Sequence, residues 1–124
     1  MSKSKDQGTR FETEVVRRAH DKGFRAWRLA EGGAGDPGDV AITLSPAGDT
    51  LILECKHRQN LPIHEALHKA QEKAAKADLP FMVDGVAVVW KRTVPNPDGG
   101  RRIPQGTVVV LGLEDFLRLL GGQT

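Results

Sequence analysis

The stretch Val86-Ala87-Val88-Val89-Trp90 carries five apolar side chains in a row. Side chains of a strand point alternately to its two faces, so a strand apolar on both must be covered on both. That requirement predicts a sheet flanked by helices, the α/β class. The 124 residues of the chain suit one such domain. No apolar run approaches the roughly 20 residues of a membrane span. The opening MSKSKDQGTR is polar and lacks the apolar segment of a secretory signal. A cytoplasmic protein without membrane contact is expected. Cys55 is the only cysteine, which excludes an internal disulfide framework and a multi-cysteine zinc site.

The rest of the chain fits around that strand. Residues 1–7 read as a basic flexible tail, and residues 8–124 as a single domain. A helix is predicted from Gly8-Thr9 to about Lys22, with Gly23 as its stop. Phe24 to Leu29 is a short strand, and residues 30–38 are a Gly-rich loop. Val40, Ile42 and Leu44 alternate with Ala41 and Thr43 at strand period. Pro46-Ala47-Gly48-Asp49 is a turn leading to a second hairpin arm, Leu51 to His57. After a break at Leu61-Pro62, Ile63 to about Ala77 is helical, with Ile63, Ala66, Leu67, Ala70, Ala74 and Ala77 forming an apolar stripe. Residues 93–106 read as an exposed Pro/Gly-rich excursion. Thr107 to Leu111 is a last strand, and Leu113 to Leu120 a last helix. The order is α-β-β-β-α-β-β-α, a central mixed sheet flanked by helices. The last helix is apolar over more than one face, which suits either a subunit interface or burial against the sheet.

The net charge of +2 hides a split. Residues 1–30 hold eight Lys and Arg against four acids, and residues 91–102 hold four against one. Two basic regions on a nearly neutral chain suit a polyanion partner or ordinary solvated surface.

The chemistry concentrates at Glu54-Cys55-Lys56. Side chains at i and i+2 share a strand face, so Glu54 and Lys56 point one way and Leu53 and Cys55 the other. Asp39 opens the preceding strand, and the hairpin brings it toward Glu54. Two adjacent carboxylates repel unless a hard divalent cation with oxygen ligands holds them. The backbone carbonyl of Cys55 is a third oxygen donor. Lys56 beside them suits an attacking water or developing phosphorane-like charge. Glu12 falls inside the apolar stripe of the first helix, with Phe11, Val15, Val16 and Ala19. A carboxylate there needs a partner, either a metal or an Arg or Lys.

Gly8-x-x-Phe11-Glu12, Gly23-Phe24, Arg28, the Gly-rich loop, Gly38-Asp39-Val40 and Glu54-Cys55-Lys56 together resemble the PD-(D/E)XK nuclease superfamily. Within it they look most like archaeal-type (Hjc-like) Holliday junction resolvases, over about residues 8–92. The resemblance implies a restriction-endonuclease-like core and a homodimer dependent on Mg²⁺ (or Mn²⁺). It implies paired nicks in a four-way DNA junction and no small-molecule cofactor. Carried over, Glu12, Asp39 and Glu54 are the metal-site carboxylates, with Glu12 direct or through water, and Lys56 is the catalytic lysine. A repair or restriction-like nuclease of the same fold and a non-catalytic junction-binding module are the related alternatives.

A rival motif, His64-Glu65-x-x-His68, matches the zinc-peptidase pattern on a predicted helix. No third ligand is placed by spacing, although Glu114 is available. In the nuclease reading, His64, His68 and Gln71 share a flank of the same helix, and Gln71 is a candidate contact to phosphate or water. Arg10, Arg28, Arg101 and Arg102 are further candidate DNA contacts. Trp27 and Trp90 suit the core better than base stacking.

Overall fold

A computed structural model describes residues 3–29, 38–44 and 49–121 of the chain. Most of the Gly-rich loop and the turn at 45–48 lie outside the described residues. The elements are α1 (Lys3–Asp21), β1 (Arg25–Arg28), β2 (Val40–Thr43), β3 (Thr50–His57), α2 (Ile63–Lys76), β4 (Gly85–Val94), β5 (Ile103–Leu111) and α3 (Leu113–Leu119). The predicted order holds throughout. The five strands form one sheet in chain order, antiparallel except for the parallel β3–β4 pair.

The apolar run lies within β4, where Val86 to Val89 are all buried. Alternation sends Val86 and Val88 to one core and Ala87 and Val89 to another. The first core is closed by α2 through Ala66, Ala70 and Ala74, small residues at helical spacing that let the helix approach the sheet. The second is closed by α1 through Phe11, Val15 and Val16. A sheet covered on both faces is what the run required.

Two boundaries differ from expectation. The helix α1 starts at Lys3, so the expected tail is helical from its third residue on. Gly8 sits inside that helix, where glycine costs roughly 0.5–1 kcal/mol relative to alanine. The cost is small enough for the packed turns that follow to carry the helix through it. At the other end, Gly23 takes φ +90 and its N–H bonds the His20 carbonyl at 2.9 Å, ending α1 as predicted.

The expected excursion at 93–106 is shorter than predicted: residues 95–102 connect the strands, and its two ends are strand. β4 runs on to Val94, and β5 starts at Ile103 opposite it. A register shift at Arg92/Thr93 leaves Gln105 as the extra residue between Gly106 and Pro104. Pro and Gly content misled because an edge strand tolerates both.

Candidate metal and phosphate site

The carboxylate site is built where β2 begins beside β3. Val40 is opposite Leu53, and the Asp39 N–H bonds the Leu53 carbonyl at 3.0 Å. Continuing that register puts Asp39 level with Glu54. The Oδ2 atom of Asp39 also accepts the Cys55 N–H at 2.7 Å. Within a strand the N–H and C=O of one residue point to the same side. The Cys55 carbonyl therefore faces the same edge as Asp39. Gly38, at φ +144, brings the backbone against this corner. A Cβ there would stand 2.6 Å from Ile52 Cγ2 and 3.6 Å from Glu54 Oε2. Glycine is needed for both its conformation and its lack of bulk.

The electrostatics are those of crowded acids. Burial, then the charge of Glu54, pushes the Asp39 carboxyl from 3.8 up to about 6. The bond from Cys55 and the charge of Lys73 oppose that rise, and Glu12 adds to it. Buried Glu54 is approached by Lys73 at 3.2 Å and by Lys56 at 3.7 Å. The half-buried Asp39 carboxylate, the buried Glu54 carboxylate and a backbone carbonyl are hard oxygen donors, which fits a divalent cation. Here two ammonium groups balance the charge of Glu54.

Glu12 stands apart. It is buried on α1, and its Oε1 accepts the Arg28 Nε–H at 3.2 Å. Arg28 is opposite Val40, on the α1 face of the sheet, whereas Glu54 follows Ile52 on the α2 face. The pairing engages Arg28, expected to contact DNA, and the charge of Glu12 also reaches Asp39. Among the described residues no group of three His, Cys, Asp or Glu side chains converges as a metal cluster. Among the described residues, Asp39 and Glu54 are the carboxylates that meet at the β2–β3 corner, with the Cys55 backbone carbonyl beside them.

A groove of about 210 Å³ leads to Glu54 along α2, lined by Lys56, Arg58, Glu65, Lys69 and Lys73 among others. Sequence reasoning missed Lys73, Lys69 and Arg58. The stripe Ala66–Ala70–Ala74 has two flanks, Glu65–Lys69–Lys73 and His64–His68–Gln71, and helical periodicity weights them equally. The structure turns the lysine flank to Glu54. Gln71 is partly buried on the other flank, beside Gly112.

The zinc-peptidase constellation does not assemble among the described residues. His64 and His68 are exposed, His68 pairs with Glu72 at 2.9 Å, and Glu65 pairs with Lys69 at 3.1 Å. Burial, then the nearby carboxylates, pushes the Cys55 thiol far above its ordinary range, so it is no nucleophile.

Arg101 is exposed, and Arg102 bonds Thr93 Oγ1 and the Thr93 carbonyl, both at 3.0 Å. Near them, burial and then Lys91 hold the His57 imidazole below its ordinary value. Burial raises the Glu14 carboxyl, but Lys91 and Arg18 outweigh it and leave it below the usual carboxylate range.

A family model described as archaeal Holliday junction resolvase (hjc) matches residues 3–76. A solved structure of Archaeoglobus fulgidus Hjc, titled a Holliday junction resolvase from an archaeal hyperthermophile, is similar at a TM-score of 0.46 and 22 % identity. That alignment covers 84 % of this chain and 88 % of the other. No curated protein matches. The family match spans more than half of the chain, from α1 through α2, and includes Glu12, Asp39, Glu54, Lys56 and Lys73. The chain therefore belongs to the archaeal Holliday junction resolvase (hjc) family.

Proposed function

We propose that the chain is a divalent-metal-dependent endonuclease that resolves four-way DNA junctions by paired phosphodiester hydrolysis. The observation that carries the reading is that the family segment holds a crowded carboxylate pair, Asp39 and Glu54, beside Lys56. Asp39, Glu54 and the Cys55 carbonyl would hold Mg²⁺ or Mn²⁺, which supplies Lewis-acid activation of water and charge neutralisation at the scissile phosphate. The Cys55 N–H fixes the rotamer of Asp39 through its 2.7 Å bond. Lys56 stabilises the negative charge that grows on the phosphate oxygens. Lys69 and Arg58 line the approach and attract the backbone. Glu12 orders the Arg28 side of the site from the opposite face.

Two symmetric nicks call for two copies related by a two-fold axis. β5 is an edge strand with Val108 and Val109 exposed, and α3 exposes Leu113, Phe116, Leu117 and Leu120. An apolar edge of this kind suits a second copy of the chain. No helix among the described residues is long and apolar enough to cross a membrane.

The test is incubation with a synthetic four-way junction, linear duplex and single strand, each with Mg²⁺ or EDTA. Symmetric nicks in the junction alone, only with Mg²⁺, are expected, with a dimer by sedimentation. A protein that binds junctions but leaves them intact with every divalent ion would favour the non-catalytic module.

A further inference from the structure

A cleft of about 700 Å³ opens between α1 and the β4–β5 hairpin, with buried Phe11 among its lining. It lies on the α1 face of the sheet, opposite the acid groove. Successive residues of β3 serve the two sites: Lys56 points into the groove and His57 into the cleft. The cleft walls carry Arg10 from α1, Lys91 from β4, and Arg101 and Arg102 from the hairpin. Glu14 is the single acid in that lining, and it pairs with Lys91 at 2.9 Å.

The other three cations lack a carboxylate partner among the described residues. Arg102 is held by neutral groups, its Nε–H and one terminal N–H donating to Thr93 at 3.0 Å. Arg10 donates from Nε to the Asp6 carbonyl at 3.4 Å. Three guanidinium groups gathered without counter-charge repel one another, and neutral acceptors anchor one of them in place. A fixed guanidinium fork matches the oxygens of a phosphate. Lys91, Arg101 and Arg102 all lie beyond residue 76, outside the family segment.

We infer that this cleft is a second, non-catalytic phosphate site that takes the backbone of a nucleic-acid arm diverging from the acid groove. A straight duplex lies against one face of a sheet, and contact with both faces requires DNA that bends or branches. The ligand class rests on the proposed junction-nuclease reading, whereas the uncompensated charge stands without it.

The test uses the full chain with Arg10→Ala and Arg101→Ala combined. This variant leaves the bonds from Arg102 to Thr93 intact, so the hairpin keeps its anchor. Affinity for a labelled four-way junction and for a short linear duplex is measured in EDTA over a salt series. The log–log salt slope for the junction should flatten by about 2, one per lost phosphate contact. Affinity should fall about tenfold at moderate salt. The duplex should change much less. An unaltered junction slope, or an equal loss on duplex, overturns the inference while leaving the nuclease reading intact. If the wild type neither binds nor cuts any DNA, the nuclease reading fails instead. Calorimetry with tripolyphosphate then decides the cleft: binding lost in the variant supports a phosphate site, and equal or absent binding in both proteins rejects it.

Discussion

The Oδ2 atom of Asp39 accepts the Cys55 backbone N–H at 2.7 Å, tying the first residue before β2 to the middle of β3. One bond sets the position of a carboxylate and the edge of the strand whose carbonyl lies beside it. The resulting crowding with Glu54 leads to the first prediction.

Asp39 has a folded-state value of about 6 against 3.8 for a free side chain. The folded, metal-free protein therefore holds an extra proton between about pH 4 and pH 6. The stability linked to that proton is fully present below about pH 4 and is lost as pH rises to about 6. Thermal melts in EDTA should show this fall. Asp39→Asn keeps an oxygen for the Cys55 N–H and removes the charge, so it should flatten the fall and melt higher at pH 7.5. A variant with the same pH profile as wild type would assign the fall to other groups.

Glu54→Gln and Asp39→Asn should each abolish Mg²⁺-dependent junction cleavage while preserving or tightening junction binding, because a charge that repels phosphate is gone. Lys56→Ala should slow cleavage on the order of 10² or more, the usual effect of losing one charge-stabilising group. His64→Ala with His68→Ala should cost far less and release no zinc by elemental analysis. Single-turnover gels score all four proteins. Full activity in Glu54→Gln would falsify the site.

Lys73 occupies both oxygens of Glu54, at 3.3 and 3.2 Å, where a divalent cation would compete with it. Lys73→Ala should lower the melting temperature in EDTA, because Glu54 loses a balancing charge. The rise in melting temperature on adding Mg²⁺ should exceed that of wild type, since metal no longer displaces an ammonium group. An equal Mg²⁺ shift in both proteins would separate Lys73 from metal binding.

Gly38→Ala places a methyl 2.6 Å from Ile52 Cγ2 at a φ of +144. Ile52 is fully buried, so it has little room to move. Overpacking of this kind costs about 1–3 kcal/mol. Urea unfolding should report a loss in that range, and Mg²⁺ affinity should fall with it because Glu54 Oε2 lies 3.6 Å from the added methyl.

The element order was legible in the chain itself, because periodicity is local. Period two put Glu54 and Lys56 on one face, and the double-sided run of β4 required helices above and below. Helical spacing put Glu12 on the stripe of α1 that packs on the sheet. Pro and Gly content hid the ends of the last hairpin, because composition does not distinguish an edge strand from a loop. The partners of these residues were decided by tertiary structure alone. Lys73 meets Glu54 because α2 lies on β3 and β4 with one of two equivalent flanks turned inward. Arg28 meets Glu12 because the β1–β2 register brings it to the α1 face. Arg10 shares a cleft with Arg102 because a hairpin more than 80 residues further along the chain folds back beside the first helix. Such contacts depend on register and helix rotation, which buried apolar area and backbone hydrogen bonds of the whole sheet settle together, and no local run of side chains encodes them.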